Sequence, residues 1–271
     1  MSLASFRRTL FRALIGLLAL PVYAQAPDRP EPIQVAPPMR RVPEPAANAS
    51  PADLEKEADT LRAEKQYLDA IDYYQAALVK APQSASLSNK LGITELMLQR
   101  YKQAGRNFSR AIKENRKFAE AYNNLGVIDY ELKRYGPSIK QYKKALTLQS
   151  DTASFYANLG ASYFARKDFE HATQAYAKAV EIDPEVFEHS SHSGVAAQMA
   201  SPEDRAHYDF VVAKLYAKMG DHDRSLEFLR KSMEEGYKDV RDVYTDPEFA
   251  DLRKDARFAE LMKSKPMAIP E

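Results

Sequence analysis

The sequence predicts an all-α fold, a solenoid of antiparallel helix pairs with about four to five repeats, and three observations carry that prediction. Ala77, Ala111, Ala145 and Ala179 stand 34 residues apart. Tyr74, Phe108, Tyr142 and Tyr176 each precede one of them by three residues. Leu91, Leu125 and Leu159 keep the same interval, and each is followed by a glycine, Gly92, Gly126 or Gly160. A strict period of this length marks a repeat array. Because it recurs in two phases, both halves of the unit repeat.

Each unit reads as helix, turn, helix. The first helix carries Leu-Gly near its middle, and the second carries a small residue, then an aromatic, then Ala. The small residues have a packing role, since two helices approach to roughly 8 Å only where no side chain separates their backbones. The third unit supplies Tyr122, Leu125, Gly126, Ser138, Tyr142 and Ala145. The fourth supplies Tyr156, Leu159, Gly160, Tyr163, Ala172, Tyr176, Ala179 and Pro184. The second has Leu91, Gly92, Ala104, Phe108 and Ala111, and the first Ala58, Ala70, Tyr74, Ala77 and Pro82. A looser fifth unit uses Ala213, Tyr216, Gly220, Ser225, Leu229 and Ser232, displaced by an insertion of about 19 residues. This pattern resembles the tetratricopeptide repeat. The resemblance implies a right-handed superhelix and a role in protein binding without catalysis.

Residues 1–26 read as a secretory signal peptide. Arg7, Arg8 and Arg12 precede an apolar run from Ala13 to Leu20, followed by Pro21 and a small-residue stretch suited to cleavage after Ala24 or Ala26. The run is far shorter than the ~20 residues of a membrane span. Export to the periplasm or secretion is the expectation, and no stable membrane span is expected in the mature form. Arg7-Arg8 with Thr9 and Leu10 faintly resembles a twin-arginine signal, and retention of the uncleaved signal as an anchor is the other alternative. Residues 27–50 form a Pro-rich linker too poor in large apolar groups to bury a core. It would span up to about 75 Å at ~3.1 Å per residue.

Residues 51–184 hold the four regular repeats. They open at Ser50-Pro51-Ala52-Asp53, where Ser accepts from free amides, Pro fits the first turn and Asp favours the positive helix end. Residues 185–201 are the insertion, a polar loop whose Glu188, His189 and His192 could supply metal donors but show no supporting pattern. Residues 202–265 hold the fifth helix pair and capping helices. Thr245-Asp246-Pro247-Glu248 starts one short helix with Phe249 and Leu252, and another carries Phe258, Leu261 and Met262.

Charge and composition narrow the function classes. Lys plus Arg is 39 against 38 Asp plus Glu, so no whole-chain field draws nucleic acid or anionic lipid. The absence of Cys removes disulfides, thiolate metal sites and cysteine nucleophiles. No GxSxG, HExxH or glycine-rich phosphate loop occurs, so no catalytic residues, metal or cofactor are expected.

In tetratricopeptide proteins the first helices line a concave groove. Transferred to this sequence, the resemblance places Glu55, Lys56, Asp59 and Arg62 there from the first unit. From the later units it places Asn89, Lys90, Ile93, Leu96, Met97, Asn123, Asn124, Val127, Tyr130, Asn158, Ala161 and Phe164. Amides beside apolar side chains suit an extended peptide or a partner helix, because Asn pairs with both groups of a peptide unit. Asn124 and Asn158, at equivalent places, are expected to touch the ligand. Tyr130 and Phe164 suit an anchor or a core role equally. Glu55 and Asp59 stand where members that clamp a terminal carboxylate need Lys and Asn, so that ligand is not expected. The leading expectation is an adaptor of the bacterial envelope. Self-association by end-to-end stacking is the alternative, and an enzyme with an unrecognised site the least favoured.

Overall fold

The computed structural model describes residues 42–187 and 202–264, which belong to one compact unit, Arg40–Glu271. Among them the regular structure is helical throughout. Four regular pairs come first: α1 (Pro51–Ala63) with α2 (Tyr67–Lys80), α3 (Ala85–Met97) with α4 (Tyr101–Glu114), α5 (Ala119–Glu131) with α6 (Tyr135–Leu148), and α7 (Ala153–Ala165) with α8 (Phe169–Ile182). α9 (Pro202–Met219) and α10 (His222–Glu234) form a fifth pair, and α11 (Ala256–Ser264) ends the array. Each helix packs on its pair partner, and each second helix packs on the first helix of the next unit. The N-terminus is capped as its residues predict, with the Asp53 amide donating to Ser50 Oγ at 3.1 Å.

Inside a pair, the contact is a ring laid on a glycine. A Cβ at Gly92 would stand 2.5 Å from Phe108, one at Gly126 2.6 Å from Tyr142, and one at Gly160 2.4 Å from Tyr176. Any side chain there must push a fully buried ring or separate the helices. The end units carry Ala58 opposite Tyr74 and Ala213 in a pair that has Leu229 in place of a ring, so a methyl is accommodated at both ends of the array. In the fifth pair, Ser225 and Ser232 also donate across the contact to the carbonyls of Ala213 and Ala206, at 2.8 and 2.7 Å.

Every pair turns through the same C-terminal cap. Lys65, Gln99, Lys133 and Lys167 adopt positive φ of 56–62°, and Gly220 takes the equivalent place at 79°. The Lys133 amide donates to the Tyr130 carbonyl and the Arg134 amide to that of Asp129, both at 2.7 Å. This is the Schellman pairing, which satisfies the last free carbonyls of the first helix. Composition hides it, because Lys, which pays a steric cost in the left-handed region, stands where Gly is usual.

The tail differs in detail from its expected form. The segment after Asp246 forms two 3-10 turns, Pro247–Phe249 and Leu252–Lys254, and only α11 is α-helical. Phe249, Leu252, Phe258 and Leu261 are buried in one cluster with Val212, Phe228 and Leu229 of the fifth pair. That burial covers the apolar face that an array end would otherwise expose.

Replacing Gly126 with Leu drives side-chain atoms into the Tyr142 ring. The expected cost is about 2–3 kcal/mol in urea unfolding, and an unchanged midpoint would refute the assigned contact.

Candidate functional site

The first-helix face contains a ladder of side-chain bonds that repeats with a 35-residue step. The Lys90 ammonium reaches Glu55 at 2.7 Å and Asp59 at 2.6 Å. Asn124 Nδ2 donates to Asn89 Oδ1 and Asn158 Nδ2 to Asn123 Oδ1, each at 3.0 Å. Asn123 Nδ2 joins the two amide rungs by donating to Asn124 Oδ1 at 3.2 Å. One residue of each unit thus bonds the preceding unit one place earlier in its frame. The four amides are buried, where an unmade hydrogen bond is costly and a completed one specifies register.

This arrangement sets most of the expected groove residues below the surface of the face. Asn89, Asn123, Asn124 and Asn158 spend amide groups on one another beneath the surface. Val127, Tyr130, Ala161 and Phe164 are also buried. Phe164 meets Phe169 edge-on at 5.0 Å and His207 at 5.1 Å. The Tyr130 ring lies 5.5 Å from Tyr135, and its buried hydroxyl has no hydrogen-bond partner among the described residues. Burial pushes that hydroxyl's pKa well above the usual tyrosine range. Of the expected groove residues Glu55, Asp59, Arg62, Lys90 and Ile93 are partly exposed and Lys56 is exposed, with the Lys90 pKa held up by Asp59 and Glu55 against the effect of burial. Beside them Ser86, Glu131 and Met97, the last 39% exposed, remain accessible. The accessible part of this face therefore runs along the first three units.

The ladder stops where the fifth pair begins. The next rung would join Ala157 to Val211, and neither side chain can make a hydrogen bond. Aromatic packing replaces it: His207 lies 4.4 Å from Phe169 and stacks on Tyr237 at 5.2 Å, while Tyr208 meets Tyr176 at 5.3 Å. The Tyr216 hydroxyl donates to the Pro184 carbonyl at 2.5 Å, and Lys167 pairs with Asp204. Burial lowers the His207 pKa. On the same helix, burial and the neighbouring Glu235 push the Asp209 carboxyl up to about 7, against the pull of Lys231 and Arg205. Among the described residues no cluster of three metal-ligating side chains occurs, and no helix is long and apolar enough to cross a membrane. Glu188, His189 and His192 lie outside those residues.

Four profiles described as TPR or tetratricopeptide repeats match residues 55–106, 126–167, 153–186 and 210–235. The chain belongs to the tetratricopeptide repeat family. No curated protein sequence matches it. Among solved structures, Pseudomonas aeruginosa pilF is 16% identical, with a TM-score of 0.53 over 79% of this chain and 97% of its own. MamA is 19% identical with a TM-score of 0.47, covering 73% of this chain and 95% of its own. YrrB, described as a TPR protein with an unusual peptide-binding site, is 17% identical with a TM-score of 0.45, covering 78% and 90%. At these identities the likeness to pilF speaks for the fold.

Two outcomes follow for this tetratricopeptide array. Asn124→Ala leaves Asn89 Oδ1 and Asn123 Nδ2 without their rung and is expected to lower stability by about 1–3 kcal/mol in urea unfolding; an unchanged midpoint would contradict the ladder. For Asp209, the folded chain holds a proton that the unfolded chain releases near pH 4, so this group's contribution to stability falls as pH rises from about 4 through about 7. Asp209→Asn should therefore gain on the parent protein, by on the order of 2 kcal/mol between pH 5 and pH 8. A pH-independent difference between the two would show that the carboxyl is not protonated in the fold.

Proposed function

We propose that this protein is a non-catalytic scaffold of the bacterial envelope that holds a segment of a partner protein on its first-helix face. The observation that carries the reading is the tetratricopeptide array itself, whose stacked first helices form a continuous, ladder-braced face with Lys90, Ile93 and Met97 accessible along it. A rigid face with aliphatic side chains beside charged ones suits an extended peptide or the apolar side of a helix. Residues 1–26 direct the chain out of the cytoplasm in this reading, and residues 27–50 let the array sit away from its point of export. The buried amides brace the face, and recognition falls to the exposed side chains between them.

The test is in-cell photo-crosslinking. A photoreactive amino acid at Met97 should capture one dominant envelope protein, and the same group at Val79, which is 82% exposed on α2, should not. Fractionation of the same cells should place the chain outside the cytoplasm. Identical products from both positions would remove the site, and cytoplasmic retention would remove the envelope assignment.

A further inference from the structure

The net charge of the chain conceals a sharp local imbalance. Between residues 98 and 150, twelve Lys and Arg stand against four Asp and Glu, while the whole chain is nearly neutral at 39 against 38. Many cations outside these helices are neutralised in place, as in Lys90 with Glu55, Lys214 with Asp246, and Arg257 with Asp223 and Asp255. On α4 and α6 they are not. Lys102, Arg106, Lys113 and Lys140 are exposed and make no ion pair among the described residues. Mutual repulsion among such charges disfavours the compact state unless something else sets the residue choice.

A cleft opens beside these cations, between α4 and α5, with a volume of about 640 Å³. Gly105, Leu125, Ile128 and Leu132 contribute its apolar lining, and Lys102 and Arg106 stand at its rim. Leu132 is 43% exposed there. The cleft exists because of Gly105. The residues 34 before and after it, Ile71 and Ile139, are buried aliphatics that fill the corresponding space in their own units. A Cβ at Gly105 would meet nothing closer than Ile128 Cδ1 at 3.8 Å, an ordinary contact, so packing does not demand glycine here. Glycine inside a helix is disfavoured relative to Ala, and nothing in the fold compensates for it. This mid-helix gap contrasts with Gly92, Gly126 and Gly160, each of which is required by a ring.

The geometry points to a second interaction surface in which the α4–α5 cleft takes one bulky apolar side chain from an acidic segment of a partner protein, with Lys102 and Arg106 pairing its flanking carboxylates. The cations supply steering and orientation, and the desolvated anchor supplies holding power. With Tyr101 as the single ring in a mostly aliphatic lining that also holds the ion-paired Asp129 and Arg134, the cleft offers little stacking surface to a nucleic acid, whose recognition on an open groove rests on successive aromatic stacking. It offers as little to lipid headgroups. The cleft shares no residue with the first-helix face around Met97, so the two surfaces fail independently.

The test uses the full chain and a fluorescein-labelled peptide of Glu and Ala built around one central Leu, read by fluorescence anisotropy. Binding should weaken at least tenfold in Gly105→Ile, which restores the side chain of the neighbouring units, with no loss in melting temperature. It should also weaken at least tenfold in Lys102→Glu/Arg106→Glu, on replacing the peptide's Leu with Ser, and with rising salt. Equal binding by the parent protein and Gly105→Ile would overturn the proposal, as would absence of binding at millimolar peptide. Tighter binding to a single-stranded oligonucleotide or to phosphatidylglycerol vesicles than to the peptide would also overturn it, and would reassign the basic belt to that ligand.

Discussion

The close approach of the two helices in each pair is the constraint on which the remaining structure depends. In the second, third and fourth pairs a ring from the second helix lies over a glycine of the first at 2.4–2.6 Å from where a Cβ would be, and in the end pairs an alanine takes the glycine's place. With that contact made, the helix axes are fixed, the intervening turn must reverse in three residues, and the left-handed residue of the Schellman cap becomes necessary. Lys65, Gln99, Lys133 and Lys167 accept that strain. A unit built this way still has one apolar face uncovered, and stacking on the next unit buries it.

Stacking alone does not set register, because apolar faces slide. The polar ladder supplies the missing specificity, with Lys90 bonded to Glu55 and Asp59 at one junction and the Asn89, Asn124, Asn123 and Asn158 amides at the next two. Buried amides discriminate strongly against a slipped arrangement, which would leave them unpaired. Where the ladder lapses, at Ala157 and Val211, rings from Phe164, Phe169, His207, Tyr208 and Tyr237 take over. The fifth pair is thus joined by shape and less by directional bonds.

Much of this is written in the sequence at the level of repeats. The 34-residue recurrence of Gly and aromatic positions locates every helix pair through Tyr176, and Ser50-Pro51 marks where the array begins. Periodicity states which residues share a face; it does not state what they bond. Asn124 and Asn158 lie on the expected face, yet a 34-residue frame compares equivalent places and misses the 35-residue step from one unit's donor to the preceding unit's acceptor. The caps were hidden by Lys in a position that favours Gly. The aromatic junction follows the insertion, where the frame is lost. Gly105 interrupts the series formed by Ile71 and Ile139, and a missing side chain has meaning only once its neighbours are placed around the space it leaves.

The amides of the first helices are the point at which a structural and a recognition role compete most directly. A double-mutant cycle on Asn89 and Asn124, measured by urea unfolding, separates the two. Bonded to each other in the folded chain, they should show a coupling energy of about 1 kcal/mol or more, with the double variant less destabilised than the sum of the single ones. Additive effects within about 0.3 kcal/mol would mean that the rung contributes nothing to the fold, and would return these amides to the surface as groups held for a ligand.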